Sequence, residues 1–147
     1  METRALILYG SETGCSQEFA ETIGREFSRR SLPSIVCPMD EYPVTNLPSE
    51  KLVIFVLSTT GQGEMPKNMR NFWRFLLRRS LPSDSLANTR VAVGGLGDSG
   101  YQSFNFSAKK LFKRLLQLSA KFIIEPVYAD DQHPLGWAKF RRQMYNS

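Results

Sequence analysis

The stretch RVAVGGLGDSGY, which runs from Arg90 to Tyr101, decides how this chain is expected to fold. Its opening residues form an apolar run of the kind found in a buried strand, and a glycine-rich turn follows at once. Glycines at the exit of a buried strand let the backbone approach a flat ligand closely. Tyr101 stands in that turn, where an aromatic ring can lie across the face of the ligand. The stretch therefore predicts a strand that ends at a ligand site.

Two earlier strands end in turns of the same kind. Leu6–Tyr9 leads into the turn Ser11–Ser16, and Leu52–Leu57 leads into the turn Ser58–Gly63. Parallel strands bring their carboxyl ends to one edge of a sheet, so the three turns together predict one pocket for a phosphorylated aromatic cofactor. Taken alone, the first turn equally fits capping of the helix that follows it. The second turn alone equally fits a plain loop before a helix that begins with proline.

The rest of the chain alternates between helix and strand. Apolar periodicity predicts helices at 16–30, after Pro66, at 108–118 and at 137–145. A weaker strand is expected at 35–37, and a last strand at 122–128 is interrupted by Pro126. Apolar strands that alternate with helices predict a single α/β domain over residues 1–147, in which helices cover both faces of a five-stranded parallel sheet.

The composition narrows the class of protein. Hydrophobic residues make up 41% of the chain, which argues against disorder. No apolar run approaches the roughly 20 residues that a membrane-spanning helix needs. The first residues lead directly into a strand, without room for a signal peptide. Two cysteines are too few for a disulfide scaffold and indicate reduced thiols. We therefore expect a cytoplasmic monomer that does not bind membranes.

The charges are distributed unevenly along the predicted elements. The formal net charge is +5, from 19 Lys and Arg against 14 Asp and Glu. Of the basic residues, only Lys67 is expected near the ligand edge. Seven acidic residues are expected in the turns after strands, so the ligand edge would be acidic. An acidic edge disfavours nucleic acid as the ligand and favours a protein partner that carries a basic patch. The acidic residues expected in turns after strands are Glu12, Asp40, Glu41, Glu64, Asp98, Asp130 and Asp131.

Other phosphate and nucleotide motifs fit the sequence less well. No lysine follows Gly14, so the first turn is not a nucleotide P-loop. The G-x-G-x-x-G from Gly95 to Gly100 follows the fourth strand, whereas the dinucleotide-binding fingerprint belongs after the first. Glu21 stands where a cysteine-dependent phosphatase needs an arginine. His133 is the only histidine of the chain, which argues against a metal site and against a Ser-His-Asp triad.

With these motifs in view, the chain resembles the flavodoxin-like FMN domain of diflavin reductases over roughly residues 4–136. The first turn is similar to an FMN phosphate loop, and Leu96–Asn105 is similar to the loop that holds the flavin ring. A narrower combination, formed by Thr59–Gly63, Asn71–Phe75 and Asp130–Pro134, is similar to the NADPH-dependent diflavin oxidoreductases of cytosolic iron–sulfur protein assembly. The resemblance implies a doubly wound sheet with strand order 2-1-3-4-5.

The resemblance also implies a function and a set of site residues. Electrons would pass from NADPH through an FAD/NADPH reductase module to FMN, and then to an iron–sulfur acceptor protein that docks at the acidic flavin edge. The chain itself would supply no acid–base catalyst and no metal ligand. Tyr101 would stack on the ring, and the Gly61 peptide would lie near its reactive nitrogen. The implied cofactor-binding residues are Ser11, Glu12, Thr13, Gly14, Cys15, Ser16, Ser58, Thr59, Thr60, Gly61, Leu96, Gly97, Asp98, Ser99, Gly100, Tyr101, Gln102, Ser103, Phe104, Asn105 and Asp131.

Two features depart from the wider diflavin pattern. Thr60 stands where relatives have an aromatic residue, so one flavin face would lack a stacked ring. Gly136 runs almost directly into Trp137, so the connection to the last predicted helix is short. Three other interpretations stay open at this point: a stand-alone flavodoxin, a flavin-dependent quinone reductase, and a flavin-free binding module with the same scaffold.

Overall fold

A computed structural model describes residues 4–11, 15–58, 65–97 and 106–130 of the chain. Short 3₁₀ turns cover Met39–Glu41, Val44–Ser49 and Lys67–Met69. The prediction of a single domain over residues 1–147 stays a prediction, and the helix expected at 137–145 lies outside the described residues. The helices and strands are β1 (Ala5–Gly10), α1 (Cys15–Arg29), β2 (Ser34–Pro38), β3 (Leu52–Ser58), α2 (Arg70–Leu76), β4 (Arg90–Gly97), α3 (Phe106–Gln117), β5 (Lys121–Phe122) and β6 (Val127–Asp130).

The strands form one parallel sheet in the order β2-β1-β3-β4-β5, which confirms the predicted order. Strand β6 also pairs with β4, further along its length, from Gly94 to Gly97. Strands β5 and β6 therefore share the fifth position, as expected for a last strand with an interruption at Pro126. Proline has no N–H to donate to a sheet, so the pairing breaks off before it.

The sheet is buried on both faces, as the sequence predicts. Successive residues of a strand point to opposite faces, and the side chains of β3 alternate between two apolar clusters. Val53, Phe55 and Leu57 belong to the cluster under α2 and α3. Leu52, Ile54 and Val56 belong to the cluster under α1. Helices on both faces are thus confirmed, and the apolar stripe of α1 packs as predicted, with Ala20, Ile23 and Phe27 buried.

Two boundaries differ from the sequence-based expectation. Gly94–Gly97 lie in β4 and not in the turn, because the backbones of Gly94–Leu96 pair with both β3 and β6 and that of Gly97 pairs with β6. The pairing on both sides outweighs the preference of glycine for turns. Apolar periodicity after Pro66 predicts a buried helix stripe that includes Leu77, but the exposure of this side chain is 50%. Helix α2 ends one residue earlier, at Leu76.

Side chains from two other elements fix the ends of α2. At its start, the Asp40 carboxylate accepts hydrogen bonds from the N–H groups of Phe72 at 2.8 Å and Asn71 at 3.3 Å. At its end, the Arg114 guanidinium of α3 donates to the carbonyl oxygens of Leu76 and Arg78. A carboxylate at the N-terminus and a cation at the C-terminus both oppose the helix dipole. Asp40 therefore serves the fold, although the sequence suggested a place in an acidic ligand edge.

The amino-terminal end of the sheet contains a buried carboxylate. Glu50, just before β3, is 8% exposed. Its Oε2 accepts hydrogen bonds from Arg4 at 2.8 Å and from the Tyr42 hydroxyl at 2.6 Å. Its backbone oxygen accepts one from Thr89 Oγ1 at 3.0 Å. Burial, followed by the hydrogen bond to Glu50, raises the pKa of Tyr42 well above its usual value.

Gly24 lets α1 approach β2 closely. A Cβ atom at this position would lie 2.8 Å from Cγ2 of Val36 and 3.4 Å from Oγ of Ser34. The Ser34 hydroxyl donates a hydrogen bond to the Gly24 carbonyl oxygen at 3.1 Å. The absence of a side chain at Gly24 thus sets the distance between the helix and the edge strand.

Gly24→Ala is expected to destabilise the protein, although alanine is the better helix former by about 1 kcal/mol. The new methyl group would overlap Val36, and overpacking of this kind costs about 1–3 kcal/mol. In a Val36→Ala background the overlap disappears, and the same substitution should stabilise by up to about 1 kcal/mol. Urea unfolding of the four proteins measures this cycle, and Ser28→Ala on the exposed side of α1 is the control. Stabilisation by Gly24→Ala in the native background would contradict the packing argument.

Alkaline pH is expected to destabilise the fold through its tyrosines. Burial raises the pKa values of Tyr9, Tyr42 and Tyr128. Unfolded tyrosine titrates near pH 10, so above about pH 10 the unfolded chain loses protons that the native protein keeps, and the free energy of unfolding falls. The stabilisation is complete below that pH and is lost as the pH rises through the native values.

Tyr42→Phe should reduce the slope of the free energy of unfolding against pH by up to about 1.4 kcal/mol per pH unit. Tyr128→Phe should reduce this slope less. Urea unfolding between about pH 8 and 11 measures the slope, because the proton difference is its only cause. An unchanged slope in Tyr42→Phe would contradict the assignment.

Candidate functional site

The carboxyl ends of three neighbouring strands meet at one edge of the sheet. Gly10 of β1 is in register with Leu57 of β3, and Ser58 is in register with Leu96 of β4. Neighbouring strands lie about 4.8 Å apart, so the three predicted turns leave the sheet side by side. The prediction that they start from one edge is confirmed.

The side chain of Ser16 is buried at the start of α1 and lacks a partner. Its exposure is 0%, and its Oγ makes no hydrogen bond to any of the described residues. A buried hydroxyl without a partner costs about 1–3 kcal/mol, and few such groups occur in native proteins. At the N-terminus of a helix, free N–H groups and the helix dipole favour an anion. The orphaned hydroxyl in this place fits a phosphate group.

The first turn begins with a peptide that side chains from elsewhere contact. Asn68 Oδ1 accepts a hydrogen bond from the Ser11 N–H at 2.9 Å, and the Ser58 hydroxyl donates to the Gly10 carbonyl oxygen at 3.4 Å. A Cβ atom on Gly10 would lie 2.6 Å from Sδ of Met69, so this position requires glycine. The sequence did not predict a role for Asn68 or Met69 at this site. Each contacts a residue more than fifty positions away in the chain, and such a contact leaves no pattern in the local sequence.

Electrostatic effects at this edge come chiefly from burial and nearby carboxylates. Burial raises the pKa of Tyr9, and Glu41 and Glu21 raise it further. Burial and Glu41 raise the pKa of Cys37, so this thiol stays protonated at neutral pH. Within residues 4–11, 15–58, 65–97 and 106–130, no cluster of His, Cys, Asp or Glu could hold a metal ion.

The described part of this edge is more basic than the sequence suggested. Arg70 begins α2, and Lys109 lies near the start of α3, with its Nζ 5.5 Å from the centre of the Tyr128 ring. Lys67 is thus not the only cation near the edge. Asp130 is the last residue of β6 and not part of a turn. In the part of the chain that the structure describes, no helix has the length and apolar character needed to cross a bilayer.

The structure describes only some of the predicted site residues. Ser11, Ser16 and Ser58 lie at the shared edge. The Leu96 side chain is 4% exposed and packs in the core under α1, so only its backbone could face a ligand. Cys15 and Gly97 are placed as the first residue of α1 and the last of β4. The predicted residues outside the described part are Glu12, Thr13, Gly14, Thr59, Thr60, Gly61, Asp98, Ser99, Gly100, Tyr101, Gln102, Ser103, Phe104, Asn105 and Asp131.

Proteins of known sequence resemble this chain strongly over a limited part of their own length. An NADPH-dependent diflavin oxidoreductase 1 from Danio rerio is 59% identical over 131 residues, which are 89% of this chain and 22% of that protein. The protein of the same name from Arabidopsis thaliana is 53% identical over 92% of this chain and 22% of its own length. The chain therefore spans about a fifth of these relatives.

Solved structures of lower sequence identity share the fold. A Streptococcus pneumonia TIGR4 flavodoxin superimposes with a TM-score of 0.80 at 21% identity, over 98% of this chain and 99% of the flavodoxin. Oxidised flavodoxin 2 from Bacillus cereus gives 0.79 at 23% identity, over the same shares. The flavodoxin family model matches residues 7–139. Because that match covers most of the chain, from within β1 to beyond β6, this chain belongs to the flavodoxin family.

Proposed function

We propose that this chain is the FMN-binding electron-transfer part of an NADPH-dependent diflavin oxidoreductase. The observation that carries the proposal is the buried hydroxyl of Ser16 at the start of α1, which has no hydrogen-bond partner among the residues that the structure describes. It fits the phosphate of a flavin mononucleotide, the cofactor implied by the family. When bound, FMN supplies a ring that accepts and releases electrons. The chain holds the ring in place and exposes its edge to partners.

The first turn would bind the phosphate without a positive side chain. Ser11, Thr13 and Ser16 supply hydroxyl groups, and Gly14 lets the backbone N–H groups come close. Together with the dipole of α1, these donors suit one phosphate monoester. A neutral cradle of this kind is poorly suited to a triphosphate with magnesium, whose P-loop uses a lysine.

The second and third turns would enclose the ring. The peptide of Gly61 would lie near the reactive nitrogen, and Tyr101 would stack on one face. Thr60 would leave the other face without an aromatic neighbour, which weakens stacking by about 0.5–1.5 kcal/mol. The carboxylates of Asp98 and Asp131 would disfavour negative charge on the ring and so lower the potential at which it accepts the last electron.

The relatives' name supports an NADPH-dependent partner module with a second flavin, whereas the acceptor and its location are implied only by the resemblance of the sequence motifs. An FAD module that oxidises NADPH would deliver electrons, and an iron–sulfur protein of the cytoplasm would accept them. A stand-alone flavodoxin is the second candidate, because the chain covers 99% of the solved flavodoxins. The identities of 53–59% with the diflavin oxidoreductases, against 21–23% with those flavodoxins, favour the first. A flavin-dependent quinone reductase and a flavin-free module fit less well, the latter because it leaves Ser16 without a partner.

The purified protein is expected to be yellow, to bind FMN in a 1:1 ratio, and to react only slowly with NADPH alone. NADPH needs the FAD module to pass its electrons on, so adding that module should reduce the bound flavin quickly. Visible absorbance before and after each addition measures this. Rapid reduction by NADPH alone would favour the quinone reductase. A colourless protein that takes up no added FMN would overturn the proposal.

Ser16→Ala is expected to weaken FMN binding and to leave the flavin-free protein as stable as before or more stable. A hydrogen bond to a charged phosphate is worth about 1.5–3 kcal/mol, so the FMN dissociation constant should rise about tenfold or more. Without flavin, the substitution removes a buried hydroxyl that has no partner. Flavin fluorescence quenching with FMN and with riboflavin measures the first effect, and urea unfolding measures the second.

Ser28→Ala, on the exposed side of the same helix, is the matched control and should change neither quantity. Riboflavin affinity should stay close to the native value in both variants, since riboflavin has no phosphate. If Ser16→Ala binds FMN as tightly as the native protein does, the hydroxyl does not contact the phosphate.

A further inference from the structure

We propose that Ser58 and Asn68 act as a pair of positioning residues that clamp the Gly10–Ser11 peptide and thereby orient the phosphate turn. This inference rests on the proposed function, because it concerns how the flavin phosphate is bound. Neither residue needs to contact the phosphate. Both act through the peptide at which the first turn leaves β1.

The two contacts are on opposite sides of one planar group. The carbonyl oxygen of Gly10 and the N–H of Ser11 belong to the same peptide unit, whose atoms are held in a plane by resonance. The Ser58 hydroxyl donates to the oxygen at 3.4 Å, and Asn68 Oδ1 accepts from the N–H at 2.9 Å. Rotation of this peptide would break both hydrogen bonds. The direction in which the next residues leave the sheet is therefore fixed.

The clamp also joins two of the three turns. Ser58 is the last residue of β3, and Asn68 lies in the 3₁₀ turn Lys67–Met69. They stand on either side of residues 59–64, the segment proposed to border the flavin ring. Ser58 directly precedes that segment and Asn68 lies four residues after its end, and both contact the peptide that begins the phosphate turn. A displacement at one turn would be passed to the other through two hydrogen bonds.

Asn68 is held firmly enough to act as a positioning residue. Its neighbour Met69 is fully buried, and its sulfur packs against the face of Gly10. Two residues further on, Asp40 fixes the N–H groups of Asn71 and Phe72. The 3₁₀ turn is therefore secured by packing on one side and by a carboxylate on the other. Support of this kind is what a binding site needs to stay within about 0.5 Å of its working geometry.

The consequence for binding is a preference for the phosphate. The Ser11 N–H already donates to Asn68. The phosphate would then depend on N–H groups later in the turn, whose direction the clamp would set, and on Ser16. Loss of the clamp should reduce affinity for FMN more than affinity for riboflavin, because only FMN uses the oriented donors.

The experiment compares Asn68→Ala and Ser58→Ala, singly and together, with Asn71→Ala. Asn71 is the matched control, an exposed asparagine three residues further along whose backbone bond to Asp40 survives the substitution. Asn68→Ala should lower the ratio of FMN to riboflavin affinity by about tenfold, as expected for one hydrogen bond. Ser58→Ala, which loses a longer bond, should lower it by about threefold. Asn71→Ala should not change it. Fluorescence quenching measures the dissociation constants of the native protein and of the four variants for each flavin.

Two spectroscopic readouts separate positioning from general stability. In the flavin-free protein, the Ser11 amide should exchange with solvent faster in Asn68→Ala than in Asn71→Ala. In the FMN complex, the phosphorus resonance should shift in Asn68→Ala and stay unchanged in the control. Asn68→Ser serves as a second variant if Asn68→Ala does not fold.

If Asn68→Ala loses FMN affinity and riboflavin affinity equally, Asn68 has only a structural role, and the inference is overturned. An unchanged Ser11 amide would overturn it as well, whether or not flavin binds. If the native protein binds no FMN, the proposed function fails and the phosphate role fails with it. If the native protein binds FMN and Asn68→Ala keeps the native ratio, only this inference fails.

Discussion

The parallel pairing of β3 with β1 on one side and β4 on the other is the constraint on which the rest of the molecule depends. All residues from Leu52 to Leu57 are buried, so this strand tolerates no charge on either face. Its register with both neighbours brings Gly10 level with Leu57, and Leu96 level with Ser58, the next residue of β3. Because the strands run the same way, the segments that follow them leave from one edge, and the opposite edge receives the ends of the helices.

The local patterns of the sequence predict the elements that this constraint needs, but not the contacts between them. The uncharged run of β3 and the apolar stripe of α1 are visible from their periodicity alone. The pairing of Gly94–Gly97 with β6 is not, since glycines after an apolar run look like a turn until the partner strand is known. Asp40 at the start of α2 and Asn68 at the start of the first turn are also hidden. In both cases the two contacting residues are far apart in the sequence and come together only in the folded chain.

Helix α2 shows how the fold makes use of charge. Its seven residues are too few for a helix that is stable alone. Asp40 holds its first turn and Arg114 its last, so the helix is fixed by residues from two other parts of the chain. The turn that carries Asn68 leads directly into this helix. The position of Asn68 beside Gly10 and Ser11 therefore depends on a carboxylate that follows β2, which explains why an acidic residue near the ligand edge need not face a partner.

The two ends of the sheet differ in how well their polar groups are satisfied. At the amino-terminal end, the buried Glu50 carboxylate has both Arg4 and Tyr42 as partners, so this end is complete without a ligand. At the carboxyl end, the buried Ser16 hydroxyl has no partner among the described residues. Because the buried Glu50 carboxylate is hydrogen-bonded, this fold is able to supply partners for its buried polar groups. The unpaired hydroxyl at the other end therefore supports the proposed ligand, whose phosphate would supply the missing acceptor at the start of a helix, where the dipole favours an anion.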